Sequence, residues 1–132
     1  MRVLVTGSRD WEGVKKEFQM QMILDTLLAF CNQIGTSLIV IHGACPTGAD
    51  VVADRWARRR DAEGVTVLQY PADWRIYGKA AGPRRNEAMV STSRADMCLA
   101  FLRAGSSGTL HTVGLAREAG IPTYIIPWEE TE

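Results

Sequence analysis

Arg2-Val3-Leu4-Val5-Thr6-Gly7-Ser8-Arg9-Asp10-Trp11 opens the chain, and its reading decides the fold. A short apolar run without polar alternation is what a strand looks like when both of its faces are covered, as in a parallel sheet. Here the run covers residues 2–6 and breaks into a glycine–serine turn followed by charge. Four further runs of the same kind lie at 37–41, 65–69, 97–101 and 123–126. Helical periodicity fills the intervals. Phe18, Met22, Ile23, Leu27, Phe30 and Cys31 form a stripe that predicts the buried face of a first helix. Ala49, Val52, Ala53, Trp56 and Ala57 follow the i, i+3, i+4, i+7, i+8 rule and place Trp56 in the core. Pro83 suits the first position of a third helix running to about residue 90. Leu110, Val113 and Ala116 mark a fourth, stopped by Gly120 and Pro122. Strand–helix alternation of this kind predicts an α/β fold. We expect one doubly wound parallel sheet of about five strands in the order 3-2-1-4-5, with right-handed crossovers and helices on both faces, as a single domain over residues 1–132. Residues 71–82 are the longest stretch without a clear period and are a candidate lid or ligand loop.

Composition narrows the class of function. The chain has 132 residues, 46% hydrophobic and 23% charged, with 15 basic and 15 acidic side chains. That fits one globular domain, and the charge balance argues against a dedicated duplex binder, which needs a basic footprint. No apolar run approaches the roughly 18 residues of a membrane span, and the opening residues read as a strand and not as a signal peptide. Cys31, Cys45 and Cys98 are odd in number and irregular in spacing, which predicts reduced thiols and a cytoplasmic protein.

In an open parallel sheet, ligands bind beyond the carboxyl ends of the strands, near the point where strand order reverses. The first strand delivers Gly7-Ser8-Arg9-Asp10-Trp11 to that edge, the second His42-Gly43-Ala44-Cys45-Pro46-Thr47-Gly48-Ala49-Asp50, and the fourth Gly105-Ser106-Ser107-Gly108-Thr109. Three loops rich in small residues, each leading into a helix, predict an anion-bearing ligand held by unpaired backbone N–H groups. None of them is a standard fingerprint. Gly7 begins no G-x-G-x-x-G, and Gly78-Lys79-Ala80 lacks the hydroxyl and upstream glycine of a Walker loop, which disfavours a nucleoside triphosphatase or an ordinary NAD-dependent dehydrogenase.

Arg9, Arg84 and Arg85 fall at strand ends or helix starts. Positive charge at a helix N-terminus opposes the dipole, so ligand contact is the reason we assign, above all for Arg85 and Arg9. Asn86 suits backbone or ribose hydroxyls. Arg58, Arg59 and Arg60 sit at a helix C-terminus and read as a solvated face. Thr47 and Asp50 fit a capping box, with contact to a ribose as the other role for Asp50. Among Trp11, Trp74 and Tyr77 we expect about one to stack on a base and the others to pack. His42 and Cys45 share a loop but lack a third ligand at metal spacing, so no metal is expected. Cys45 precedes a helix, a place that can lower a thiol pKa, yet with no assignable base it reads as a turn residue. His111, one turn into the fourth helix, faces either ligand or solvent.

At these residues the chain resembles the SLOG superfamily of Rossmann-like nucleotide-binding proteins, and within it the YspA/cpYpsA-related group of small bacterial and phage proteins. The resemblance spans nearly the whole chain. It rests on Val5 to Trp11, on His42-Gly43-Ala44 with Gly48-Ala49-Asp50, on Gly82-Pro83-Arg84-Arg85-Asn86-Glu87-Ala88-Met89, and on Ala95-Asp96 leading to Gly105-Ser106-Ser107-Gly108-Thr109. It implies binding of a nucleotide or nucleotide-derived ligand, ADP-ribose-like or NAD-derived, with no cofactor required, and it implies a homodimer. One branch, the Lonely guy proteins, hydrolyses the N-glycosidic bond of nucleoside monophosphates through the signature Pro-Gly-Gly-x-Gly-Thr-x-x-Glu and an upstream arginine. Arg85 matches that arginine, and Gly108-Thr109 match the Gly-Thr pair. Ala104 and Ser106 replace the proline and second glycine, and the glutamate position falls on Thr112. A carboxylate stabilises an oxocarbenium-like transition state and threonine does not.

Three functions follow, in order of preference. The first is a binding or sensing module that clamps a phosphorylated nucleotide derivative. The second is an N-glycosidase or phosphoribohydrolase using Arg85 with Glu87 or Asp50 as the acid. The third, disfavoured by the neutral net charge, is a single-stranded nucleic-acid groove built from Arg55, Arg58, Arg59, Arg60, Arg84 and Arg85.

Overall fold

The computed structural model describes residues 1–128. Five strands, β1 (Arg2–Gly7), β2 (Leu38–His42), β3 (Val65–Gln69), β4 (Met97–Leu102) and β5 (Thr123–Pro127), form one parallel sheet ordered β3-β2-β1-β4-β5. The order reverses between β1 and β4, paired from Val3↔Met97 to Gly7↔Phe101. The main helices are α1 (Val14–Ile34), α2 (Ala49–Arg58), α4 (Ala81–Thr92) and α5 (Ser107–Glu118); α3 (Trp74–Tyr77) is a single turn. The expected fold and strand order are what the structure has.

Alternation along each buried strand divides the core in two. Val3, Val5, Val40, Leu99 and Phe101 pack with α1 and α2, together with Trp11 and Trp56. Leu4, Ile41 and Cys98 turn to the other face and meet Met89 and Val90 of α4 and Ala116 of α5. No described helix is long and apolar enough to cross a membrane.

Several local expectations are corrected. The buried stripe of α1 is Met20, Leu24, Leu28 and Cys31, with Ile23 and Leu27 at its margin, whereas Phe18, Met22 and Phe30 are exposed. The helix is apolar on more than one side, so periodicity alone selects the wrong flank. Residues 71–82 are not a loop: Asp73 caps α3, and a 3-10 turn at Gly78–Ala80 runs straight into α4. Pro83 is therefore at the third position of α4, still within the first turn, where a missing N–H costs no helical bond. Thr47 does not cap α2. Gly48 occupies that place with no side-chain cap, and Asp50 accepts the Cys45 N–H at 3.1 Å instead.

Candidate functional site

The carboxyl ends of β1, β2 and β4 and the starts of α4 and α5 enclose a cleft of about 880 Å³. Steric demands build its walls. A Cβ on Gly7 would lie 2.5 Å from Ala49 Cβ and 2.8 Å from the Phe101 carbonyl. Gly48, at φ +81°, would put one 2.3 Å from the Ser8 carbonyl. These two glycines let α2 press against the end of β1. The Ala49 N–H donates to the Ser8 carbonyl at 3.2 Å, and the Gly48 N–H to Glu12 Oε1 at 2.7 Å. Gly105 and Gly108 differ: nothing lies within 4 Å of a Cβ built on either, so they leave the mouth of α5 bare.

That mouth is one end of the site. Ser106 precedes α5 without a side-chain cap and donates its hydroxyl to Thr109 Oγ1 at 2.8 Å. By helix geometry the N–H groups of Ser107, Gly108 and Thr109 have no intrahelical acceptor. Across the cleft stands Arg85. Its Nη1 donates to the Gly43 carbonyl, its Nε donates to Asn86 Oδ1 at 2.8 Å, and its Nη2 is 3.9 Å from Cys45 Sγ. Two of its donors are thereby used to orient the guanidinium, while Nη2 keeps capacity for a ligand. Arg9 is exposed on the rim and has no hydrogen-bond or ion-pair partner among the described residues. Arg103 and Asp10 also border the cleft, joined at 2.6 Å, and the Ser8 hydroxyl accepts the Arg103 N–H at 2.8 Å.

Of the expected site residues, Gly7, Ser8, Arg9, Gly43 and Asp50 line this cleft, as do Gly82, Arg85, Asn86, Gly105, Ser106, Ser107, Gly108 and Thr109. His42, Ala44, Gly48, Arg84 and Glu87 do not. His42 is buried: its Nδ1 accepts the Ala44 N–H at 2.9 Å, and its Nε2–H donates to Asp54 Oδ1 at 2.8 Å. It fastens the loop after β2, where Ala44 holds φ +57°. Arg84 stacks its guanidinium 4.5 Å from the Tyr77 ring. Glu87 is exposed on α4. Of the three aromatics, only Trp74 borders the cleft. Trp11 is fully buried, edge-on to Phe101 and Trp128, with its indole N–H on the Lys16 carbonyl. Asp10, delivered to this edge with the loop after β1 but given no role, also lines the cleft, and Thr6, Met89 and Arg103 were not singled out; the register of β1 on β4 brings Arg103 there, and no local pattern reports it.

Titratable groups on the loop after β2 and on α2 depart from their ordinary values. Burial, then the neighbouring Asp50 charge, raises the Cys45 thiol above its ordinary value despite Arg85 and Arg9. The thiol is protonated at neutral pH, the reverse of what a helix start alone would do. At Asp54 burial pushes upward, but hydrogen bonds from Arg58, His42 and Gln69 outweigh it and lower the carboxyl.

The family model for the YspA, cpYpsA-related SLOG family matches residues 1–77. The chain belongs to this family. It is also 42% identical over 123 residues, 92% of each chain, to the Gene 61 protein of Mycobacterium phage D29. No solved structure matches it. In this SLOG domain the two carboxylate positions weighed for glycosidic-bond hydrolysis are not equivalent. Thr112, at the glutamate position of the Lonely guy signature, is buried and directs its hydroxyl to the Gly108 carbonyl at 3.4 Å. Glu87 lies outside the cleft. Asp50 remains as a buried cleft carboxylate, with Oδ2 engaged by the Cys45 N–H.

Proposed function

We propose that this SLOG domain binds or senses a phosphorylated nucleotide or nucleotide-derived ligand, ADP-ribose-like or NAD-derived, in the cleft at the carboxyl edge of the sheet. One observation carries the reading: the bare mouth of α5, the oriented guanidinium of Arg85 and Arg9, which has no hydrogen-bond or ion-pair partner among the described residues, border a single cleft of about 880 Å³. That volume suits a ligand of nucleotide size. A phosphoryl group at α5 meets N–H donors and the positive helix end, and the arginines balance its charge. Trp74 offers a face for the base, and Asp50 an acceptor for ribose hydroxyls.

The test is a calorimetric and thermal-shift screen of NAD, ADP-ribose, its cyclic forms and nucleoside monophosphates. Saturable binding that weakens about tenfold or more in Arg85→Ala is expected. No ligand in the set, or binding indifferent to Arg85→Ala, would sink the proposal. Hydrolysis is the lesser reading, because it rests on Asp50 alone; release of free base on long incubation with nucleoside monophosphates would reinstate it. A single-stranded nucleic-acid groove is disfavoured. Arg55, Arg58 and Arg60 are ion-paired to Glu17, Asp54 and Asp25 on the α1–α2 side of the sheet, away from α4. The proposal includes a homodimer, supported by the outward Val14, Phe18 and Met22 of α1, and sedimentation at the monomer mass would remove that part.

A further inference from the structure

Three side chains on the inner wall of the cleft have donors and acceptors in only one consistent order. Arg85 carries donors alone, so its Nε–H, 2.8 Å from Asn86 Oδ1, fixes which end of that buried amide is oxygen. The amide nitrogen then faces His111 Nδ1 at 3.2 Å. An NH₂ group donates, so Nδ1 presents its lone pair, and the neutral ring holds its proton on Nε2. Nε2 has no hydrogen-bond partner among the described residues, and the half-buried ring borders the cleft. His111 lies four residues beyond Ser107 on α5, and helical side chains lean toward the N-terminus, which brings the ring toward the bare mouth of that helix.

We propose that His111 is a ligand-reading residue, presenting a neutral Nε2–H to a phosphoryl oxygen of the bound nucleotide, with Asn86 as the positioning residue that holds the tautomer as set by Arg85. The inference rests on the nucleotide-phosphate reading above. It adds a selection rule: a donor-only contact takes phosphoryl oxygen and rejects a ligand that offers an amide or amine N–H at the same place. Thr112, next along the chain, is turned into the core, so His111 is the polar group that this turn of α5 gives to the cleft.

The chain has two histidines, so ring ¹⁵N spectra are simple to assign. In the ligand-free protein His111 is expected as the Nε2–H tautomer. Asn86→Asp moves the ring proton to Nδ1, because the introduced carboxylate accepts where the amide donated. Addition of ADP-ribose, or of inorganic phosphate at higher concentration, shifts Nε2. His111→Ala and His111→Asn, whose amide is too short to reach, lose about ten- to a hundredfold in ADP-ribose affinity. His111→Gln places an amide N–H near the Nε2 position and stays within about threefold of the parent by the same scale. A parent ring with its proton on Nδ1, or His111→Ala binding ADP-ribose as well as the parent, overturns the inference while leaving the binding function intact. Absence of binding by the parent to both probes overturns the two together.

Discussion

Gly43→Ala isolates the seat of Arg85 from the rest of the fold. A Cβ on Gly43 would stand 2.6 Å from Nη1, 2.9 Å from Cζ and 3.1 Å from Nε of Arg85. Gly43 does not need a positive φ, so alanine is sterically acceptable to the backbone there. The three nearest atoms all belong to the end of a flexible side chain, which must withdraw about 0.8 Å to reach the 3.4 Å of ordinary contact. A guanidinium displaced that far no longer holds its bonds to the Gly43 carbonyl and to Asn86 Oδ1 in their present geometry. Gly43 is buried, so full loss of that bond would leave its carbonyl short of a donor, which sets about 1–3 kcal/mol as the upper bound on the cost. Urea unfolding should show a lower midpoint with unchanged slope. ADP-ribose affinity should fall about tenfold, since a guanidinium off position by more than about half an ångström no longer meets its ligand. The decisive assay is a double-mutant cycle: in an Arg85→Ala background, Gly43→Ala should cost little in either stability or binding. Equal costs in both backgrounds, or parental affinity in the single variant, would refute the role given to this contact.

Gly48→Ala tests the other kind of glycine: with φ +81° and a Cβ 2.3 Å from the Ser8 carbonyl, it should lower stability by several kcal/mol, about 4 or more, and a melting temperature near the parent's would contradict the packing of α2 on β1. In the folded protein Cys45 should be the thiol open to a maleimide, with Cys31 and Cys98 reacting only after unfolding, since both are buried and burial pushes Cys98 up to about 12. Because Cys45 lies above its ordinary value of 9.0, its labelling should be slow at pH 7 and still accelerating beyond pH 9; a rate already level at neutral pH would contradict the raised thiol. The lowered Asp54 carboxyl contributes stability that is complete above the ordinary carboxyl value of 3.8 and is lost as pH falls through the lower folded-state value. The urea-midpoint gap between the parent and Asp54→Asn should accordingly be widest above about pH 4 and close in acid, and a gap independent of pH would exclude that charge.

Legibility in the sequence followed the range of the forces involved. Continuous apolar runs are a local record of burial on both faces, so the strands and their parallel pairing could be read from residues such as Val3-Leu4-Val5 and Cys98-Leu99-Ala100, whereas the 3-2-1-4-5 order was an expectation for the doubly wound class that the structure bears out. The same order placed the cleft, because the carboxyl edge at the reversal follows from topology alone. Gly7 and Gly105–Thr109 were expected at its border for that reason, Arg85 because its charge falls at a helix start, and all of them line the cleft. Side-chain partners needed three dimensions. His42 and Ala44 flank Gly43 in the chain, yet the His42 ring is turned to Asp54 and braces the Ala44 N–H, and nothing in their spacing says so. Gly7, Gly43 and Gly48 look alike as letters; only contacts with Ala49, Arg85 and Ser8 separate helix packing from the seat of a guanidinium. The flank of α1 that enters the core was decided by the sheet beneath it, since the helix is apolar on more than one side. Sequence by itself determined the five strands, the four long helices and the edge that gathers the loops, because strands and helices depend on local burial patterns and the edge on strand direction. Tertiary structure decided which polar atom each loop residue faces, because a hydrogen bond a few ångströms long between residues dozens of positions apart leaves no periodic trace in the chain.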